Sequence, residues 1–201
     1  IQPANGTINI PGVAALSSQG SIALNAVASA LLTGGAIGLT AGDDITFTHG
    51  GALATINAAS LTVRAGDDFS ATLGVVSRTS GRTDIGAVDQ VSIGGQMGGR
   101  DILVTGADIA VPGAVGDATS LTTTLQAVGT AQVAGDVRGG AILVTATDIL
   151  LATSGEIGNA ATTQTRLQAT NVASLAGQVL GADILVQAAR INVTLTGNGG
   201  G

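Results

Sequence analysis

The sequence predicts an all-β protein built as a β-solenoid, in which short strands are stacked coil upon coil. Two observations predict this fold class. The first is a repeat, because segments 101–111, 141–151 and 183–193 read DILVTGADIAV, AILVTATDILL and DILVQAARINV. The second is that each copy holds two short runs of alternating apolar residues joined by a small polar corner. A long period that keeps strand alternation is typical of stacked repeats rather than of one globular core.

The repeat spacing predicts the length of one coil. The numbers of Ile102, Ile142 and Ile184 differ by 142 − 102 = 40 and by 184 − 142 = 42. A second matched pair, IGLTAGDDITF at 37–47 and LTVRAGDDFSA at 61–71, has a step of 61 − 37 = 24. If the shorter step is one coil and the longer steps are two, the chain holds roughly eight to nine coils of about 20–24 residues each.

The segment at 1–42 carries three copies of a strand signal. These are GTINI at 6–10, GSIAL at 20–24 and GAIGL at 35–39, each a glycine followed by alternating apolar residues. Asp43 is the first ionisable side chain, so this stretch is uncharged. A membrane span is not expected, because polar residues and glycine pairs interrupt the stretch before it reaches about 20 apolar residues.

The rest of the chain fits the same organisation. Residues 74–100 are the least regular part, and irregular corner loops are expected there. Residues 112–140 and 152–181 each fit roughly one further coil, which is entered through a G-x-[VI]-G element at 113–116 and at 155–158. The GNGGG end at 197–201 is linker-like. We find no internal domain boundary and expect residues 1–201 to form a single solenoid segment.

Composition argues against several functional classes. The net charge is −6 and the pI is about 4.3, whereas nucleic-acid binding needs a basic surface. Mean hydropathy is +0.50, aromatic residues make up 1 %, and Lys and Cys are absent. The absence of Lys excludes a P-loop, and the absence of Cys excludes disulfides and thiolate metal sites. The aliphatic, aromatic-poor composition suits a narrow, regular tube.

The two AGDD corners supply the best candidates for metal binding. They carry Asp43, Asp44, Asp67 and Asp68. These carboxylates are suited to accept hydrogen bonds from backbone N–H groups at a turn. They are also weak Ca²⁺ candidates, because Ca²⁺ takes oxygen ligands. The alternating Gly-Asp pattern of calcium-binding β-rolls is missing, so turn capping is the preferred interpretation and no cofactor is expected.

The residues do not predict an enzyme. His49 is the only histidine, and no G-x-S-x-G nucleophile motif accompanies it. Glycoside hydrolases place two carboxylates across a cleft, and Glu156 is the only glutamate. Sugar-binding enzymes also usually offer Trp or Tyr rings, which this chain lacks. A polysaccharide-active β-helix enzyme therefore remains only a distant alternative.

Several segments resemble the repeats of large bacterial exoproteins of the filamentous-haemagglutinin type. They are GSIAL, GAIGLTAGDDITF, SGEIGN with LQATNVASLAG, and ADILVQAARINV. Such exoproteins are exported by two-partner secretion, and similar repeats occur in autotransporter passengers. The resemblance implies a right-handed parallel β-helix, an extracellular or cell-surface location, and an adhesive or fibrous role. It supplies no catalytic residues.

Two structural functions follow as expectations. The first is the shaft or passenger segment of a bacterial surface adhesin, with a host or cell-surface ligand that composition does not identify. The second is a self-assembling subunit of an extracellular filament, because an uncapped solenoid exposes strand edges at both ends. Because the chain begins at Ile1 rather than Met, we expect a processed product or part of a longer polypeptide.

Overall fold

The described part of the chain is a stack of parallel β-strands. The structure, a computed structural model, describes residues 6–10, 14–26, 30–49, 54–72 and 74–194. These residues form strands and turns without any helix. It follows that no membrane-spanning helix occurs among them. The predicted all-β solenoid is confirmed.

Twenty-three strands follow one another in this part of the chain. The first eight are β1 (Gly6–Ile10), β2 (Ala14–Ser18), β3 (Ile22–Ala26), β4 (Ala30–Ala41), β5 (Ile45–His49), β6 (Ala54–Ala65), β7 (Phe69–Ala71) and β8 (Val75–Thr79). The next eight are β9 (Arg82–Ala87), β10 (Gln90–Ile93), β11 (Gln96–Met97), β12 (Asp101–Gly106), β13 (Asp108–Val111), β14 (Ala114–Val115), β15 (Thr122–Ala127) and β16 (Thr130–Val133). The last seven are β17 (Asp136–Val137), β18 (Ala141–Leu151), β19 (Glu156–Ile157), β20 (Gln164–Leu175), β21 (Gln178–Val179), β22 (Asp183–Gln187) and β23 (Arg190–Val193).

The strands form three parallel stacks, which we name faces 1, 2 and 3. Face 1 holds β1, the first halves of β4 and β6, β8, β11, β14, β17, β19 and β21. Face 2 holds β2, the second halves of β4 and β6, β9, β12, β15, the first halves of β18 and β20, and β22. Face 3 holds β3, β5, β7, β10, β13, β16, the second halves of β18 and β20, and β23.

The register confirms the predicted coil count. Each face stacks nine strands within the described residues, so about eight turns separate the first strand from the last. Ile102 pairs with Thr123, and Thr123 pairs with Ile142, so the longer repeat spacing does correspond to two coils. Ile37 pairs directly with Leu61, so the shorter spacing corresponds to one. With strands about 4.8 Å apart, eight steps give a body roughly 40 Å long.

The three N-terminal strand signals lie on three different faces. GTINI forms β1 on face 1, GSIAL runs into β3 on face 3, and GAIGL lies in β4 on face 2. Successive signals are therefore two-thirds of a coil apart, not a full coil. Strand alternation identified the segments, but it carries no information on which face of a three-sided coil a strand occupies.

The core is a column of side chains that point inward from all three faces. Most are Ile, Leu, Val and Ala, as the sequence predicts, and those in the middle coils are almost fully buried. The only two aromatic residues, Phe47 and Phe69, belong to adjacent coils of face 3. Their ring centroids lie 5.2 Å apart with the planes at 90°. This edge-to-face geometry is favourable for aromatic pairs and fills the core where these coils meet.

The corner between faces 1 and 2, named corner 1–2, alternates between two lengths in the C-terminal half. Three residues turn the chain at 98–100, 138–140 and 180–182, whereas six do so at 116–121 and 158–163. The long corners begin with Gly116 and Gly158, which have φ of 83° and 92°. Residues 74–100, where irregular loops were expected, contain the short strands β8 to β11. The Gly-rich end at 197–201 lies outside the described residues.

Candidate functional site

The acidic residues singled out from the sequence meet at the corner between faces 2 and 3. We name Asp43, Asp44, Asp67, Asp68 and Asp89 the acidic corner; it lies along three successive coils. The glycines that precede the first two acidic pairs have a steric role. A Cβ at Gly66 would collide with the carbonyl oxygen of Gly42, so the coils approach too closely there for a side chain.

Part of this acidic corner caps backbone groups of the neighbouring coil. The Oδ1 atom of Asp44 accepts a hydrogen bond from the backbone N–H of Asp68 at 3.2 Å. The Oδ1 atom of Asp68 accepts one from the N–H of Gln90 at 2.8 Å. Asp43 instead accepts a bond from the Ser21 hydroxyl at 3.1 Å. The carboxylates therefore connect one coil to the next, whereas the sequence suggested capping within a single turn.

The same capping continues further along this corner. Asp108 accepts a hydrogen bond from the backbone N–H of Thr130 at 2.6 Å, and Asp148 accepts one from Val172 at 3.0 Å. These two aspartates were not among the predicted candidates. Asp108 and Asp148 are separated by the same two-coil spacing as Ile102 and Ile142, so the repeat itself carried the signal.

The acidic corner brings carboxylates close enough to share a cation. One candidate oxygen from each of Asp43, Asp44 and Asp67 lies within 4.8 Å of the others, and the same holds for Asp67, Asp68 and Asp89. Asp89 was not among the predicted candidates. It follows Asp67 by one coil, and that spacing was the available signal. The arrangement offers oxygen ligands of the kind that Ca²⁺ prefers, on an exposed edge.

Asp67 occupies the centre of this acidic corner. The negative charge of Asp68 raises the pKa of the Asp67 carboxyl, with smaller contributions from reduced hydration and from Asp44, Asp89 and Asp43. Asp67 is shared by both groups of three carboxylates. Mutual repulsion is therefore concentrated on this one exposed side chain.

A charged cluster also lies on the outer surface of face 2. The Asp84 carboxylate contacts the Arg64 and Arg82 guanidinium groups at 2.9 and 3.0 Å. Burial would raise the pKa of Asp84, but hydrogen bonds and charge from Arg64 and Arg82 outweigh it, so the pKa falls below its ordinary value. Asp84 is mostly buried beneath the two arginines, so this cluster holds coils together and offers no free anion site.

An open groove runs along corner 1–2 of the N-terminal half. Its volume is about 390 Å³, and it is lined by Thr33, Gly34, Gly35, Asn57, Ala58, Ala59 and Ser80. These residues come from three successive coils. The lining offers hydroxyl and amide groups but no carboxylate, imidazole or aromatic ring. The groove can form hydrogen bonds with a ligand, and its lining holds no general acid or base.

The two remaining catalytic candidates lie apart from this groove. His49 ends β5 on face 3; its side chain lies outside the described residues. Glu156 lies in β19 on face 1, in register with Asp136 of the coil before. Asp136 in turn forms an ion pair with Arg138 at 2.8 Å. The groove lining contains neither Glu156 nor Asp136.

The last described coil leaves core positions uncovered. Ile184, Ile191 and Val193 are 48 %, 47 % and 60 % exposed, although they continue the inward columns of the earlier coils. Their counterparts two coils earlier, Ile142 and Ile149, are 2 % and 0 % exposed. Among the described residues, β21, β22 and β23 pair only with the preceding coil.

Comparison with known proteins gives no match: no family model, no curated protein and no solved structure resembles the chain significantly.

Proposed function

We propose that this chain is a structural, adhesive β-helix that forms the shaft or passenger segment of a bacterial surface adhesin. Its role is to hold a rigid column of stacked coils outside the cell or at its surface. The observation that supports this proposal most is that its polar side chains form hydrogen bonds between neighbouring coils. Asp68, Asp108 and Asp148 each accept a backbone hydrogen bond from the following coil, so their chemistry stabilises stacking.

The core is consistent with the same role. Inward side chains form continuous columns from one coil to the next, and each coil between the first and last described ones pairs with the coil before it and the coil after it. Stability in such an array is a sum of local and nearest-neighbour terms, so coils can be added without altering the rest. A column of this kind suits a spacer of variable length. The haemagglutinin-like motifs support an extracellular or cell-surface location.

A second candidate function is a subunit of an extracellular filament. The observation that favours it is the parallel pairing of successive coils, because the same backbone pairing would extend the sheets if coils of a second copy joined them. A solenoid end with unpaired strands is a template for further strand pairing. This candidate requires homotypic contacts along the axis, which the shaft proposal does not.

The experiment that tests the shaft proposal locates the protein and measures adhesion. Antibodies raised against the folded chain are applied to intact and to permeabilised cells of the source bacterium. We expect labelling of intact cells and loss of the signal after external protease. Beads coated with the folded chain should adhere to host cells more than beads coated with the Val104→Asp variant, whose core is disrupted. Labelling only after permeabilisation would overturn the proposal.

A further inference from the structure

The groove at corner 1–2 of the N-terminal half is open because the residues at this corner have small side chains. Gly34 and Gly35 lie there in one coil, and Ala58 and Ala59 lie there in the next. In the third coil, the backbone N–H of Ser80 donates a 3.1 Å hydrogen bond to the carbonyl oxygen of Ala58. The groove volume of about 390 Å³ is at the low end of the range of about 300–1,000 Å³ that is typical of small-ligand sites.

A column of polar side chains on face 1 borders this groove. Thr33 pairs in register with Asn57, and Asn57 pairs with Arg78, so the three residues belong to successive coils. Asn57 and Arg78 are exposed, and the register places Thr33 on the same outward side. Successive coils are about 4.8 Å apart, a step comparable with the length of one sugar ring in a linear glycan. A hydroxyl, an amide and a guanidinium group thus follow one another along the solenoid axis.

Arg78 gives this end of the groove a positive charge. Within the part of the chain that the structure describes, no ion pair includes Arg78. Asp84, the carboxylate closest to Arg78 in sequence, already contacts Arg64 and Arg82 at 2.9 and 3.0 Å. The groove lining itself contains no carboxylate. The groove is therefore locally cationic on a chain of net charge −6, and it favours an anionic ligand.

We propose that this groove binds a hexuronate residue, a sugar that carries a carboxylate, within a linear cell-surface glycan. The Arg78 guanidinium pairs with the carboxylate, which its planar fork can engage through two hydrogen bonds. The Asn57 amide and the Ser80 hydroxyl, both exposed at the groove, bind hydroxyl groups of the sugar. The inference rests on the adhesin proposal and deepens it, because it names the class of ligand that the shaft contacts.

The lining distinguishes a charged sugar from other ligands. An inorganic phosphate ion would contact Arg78 and leave the amide and hydroxyl groups of the groove unused, whereas a hexuronate engages both. No aromatic ring lines the groove, so the sugar is not held by stacking. Exposed ion pairs contribute little, so we expect a Kd of about 1 mM for one site. Many copies of the chain on one surface raise the effective affinity for a glycan with repeated carboxylates.

The test uses trigalacturonate, a linear trimer of galacturonic acid, and its fully methyl-esterified form, which has the same ring sequence without the charges. Both are titrated into the folded full chain, and binding is followed by NMR chemical shifts. We expect saturable binding of trigalacturonate, and binding of the ester that is weaker by at least about threefold. Inorganic phosphate at the same concentration should not displace the trimer.

Three variants locate the site. Arg78→Gln should weaken trigalacturonate binding by at least about threefold and leave binding of the ester unchanged. Asn57→Ala should weaken binding of both ligands. The matched control is Arg166→Gln, which removes an exposed arginine from the outward side of face 2, four coils away, and should bind like the wild type. The altered side chains are all exposed, so the circular dichroism of the strands should not change.

Four results would overturn the inference. They are no saturable binding of trigalacturonate, equal binding of its ester, equal displacement by inorganic phosphate, and a loss in Arg166→Gln as large as that in Arg78→Gln. A chain that fails this test but labels intact cells and mediates bead adhesion leaves the adhesin proposal standing. A chain that passes it but is labelled only after permeabilisation overturns the adhesin proposal instead.

Discussion

The hydroxyl of Thr123 donates a 2.6 Å hydrogen bond to the carbonyl oxygen of Arg138, one coil further along the chain. Thr123 is fully buried, so the bond lies at the edge of the core. Thr83 and Thr165 form equivalent bonds to Gly98 and Leu180, at 2.8 and 2.6 Å. Along this column of face 2, threonine alternates with isoleucine: Thr83, Ile102, Thr123, Ile142, Thr165, Ile184.

This alternation explains why the sequence repeats every two coils. Each buried threonine is covered by a glycine of a short corner 1–2. A Cβ at Gly139 would lie 2.8 Å from the Thr123 hydroxyl oxygen, and one at Gly181 would lie 2.9 Å from that of Thr165. The coils that open with a long corner carry Thr123 and Thr165, and the coils between them, with short glycine corners, carry isoleucine. If one coil with an inward threonine were stacked directly on another such coil, the covered threonine would lose its glycine neighbour. A pair of coils, one with threonine and one with isoleucine, is therefore the unit of stacking here.

The first prediction concerns the Thr123 hydroxyl. Thr123→Val keeps the shape of the side chain but leaves the Arg138 carbonyl without this donor, which should cost about 1–3 kcal/mol of unfolding free energy. Thr124→Val on the same strand points outward, so it should change stability by less than about 0.5 kcal/mol. Urea unfolding of both variants measures the difference. Equal stability of the two variants would show that the buried hydrogen bond contributes nothing.

The second prediction concerns the glycine that opens the long corner. Gly116 has φ of 83°, and a Cβ there would collide with the carbonyl oxygen of Arg138. Gly116→Ala should therefore destabilise the protein by at least about 1–3 kcal/mol, from backbone strain and displacement of the coil. Gly20→Ala is the control, because nothing lies within 4 Å of its Cβ position. A melting temperature for Gly116→Ala as high as that of the control would contradict this geometry.

The third prediction is a pH dependence of stability that has one sign at Asp84 and Asp117 and the opposite sign at Asp67. The pKa of Asp84 is lowered in the folded state. The ionised carboxylate therefore stabilises the fold above the unfolded-state pKa, and this stabilisation is lost as pH falls through the folded-state pKa. Asp84→Asn should destabilise the protein at pH 7, with an effect that shrinks below about pH 4. The pKa of Asp117 is also lowered, because hydrogen bonds from Thr119 and Ser120 outweigh burial, so Asp117→Asn should follow the same trend.

Asp67 should behave in the opposite way. The pKa of Asp67 is raised in the folded state. The stability that this shift contributes is therefore fully present below the unfolded-state pKa and is lost as pH rises through the folded-state pKa. Asp67→Asn should stabilise the protein at pH 7, and the gain should vanish as pH falls towards about 4. Urea unfolding from about pH 3 to pH 7 measures all three variants. A gain for Asp67→Asn that is independent of pH would exclude charge repulsion as its cause.

The fourth prediction separates capping from metal binding. Asp108→Ala removes the acceptor for the Thr130 N–H and should cost about 0.5–2 kcal/mol, as for other backbone caps. Asp89→Ala should not destabilise the protein, because the Asp89 carboxylate accepts no comparable hydrogen bond among the described residues. Since the aspartates act as caps, a chelator should leave the melting temperature unchanged. A melting temperature that falls with chelator, recovers with Ca²⁺ and loses this response in Asp67→Asn would instead make the acidic corner a metal site.

The sequence was most informative where a pattern is both periodic and apolar. The columns of Ile102, Ile142 and Ile184 could be predicted, because inward aliphatic residues recur at the coil spacing. The buried threonines were not predicted, since a Thr in a strand is usually read as outward-facing. Thr123 lies on the same inward side of its strand as Leu125, and its hydroxyl is satisfied there by the Arg138 carbonyl.

The acidic corner was predictable in part. The carboxylates at Asp43, Asp44, Asp67 and Asp68 were predicted as caps, and Asp44 and Asp68 do accept backbone hydrogen bonds. Their partners lie in the next coil, which depends on stacking register. Spacing alone does not give that register, because the corner lengths between faces vary from coil to coil.

Two deletions test whether a pair of coils is the unit of stacking. Deleting residues 102–141 removes two coils and joins Asp101 to Ile142, so the strand again reads DILVT. The alternation of threonine and isoleucine then continues unbroken. Deleting residues 98–115 removes one coil and joins Met97 to Gly116, so Thr123 lies directly above Thr83 and the long corner replaces the Gly98–Gly99 corner that covers Thr83.

Urea unfolding of the two deletion variants is the most direct measurement. We predict that the two-coil deletion folds and unfolds in one cooperative transition, with an m-value lower by roughly two-ninths, since m scales with the surface exposed on unfolding. The one-coil deletion should be markedly less stable, although it removes less of the chain. A one-coil deletion at least as stable as the two-coil deletion would contradict the account.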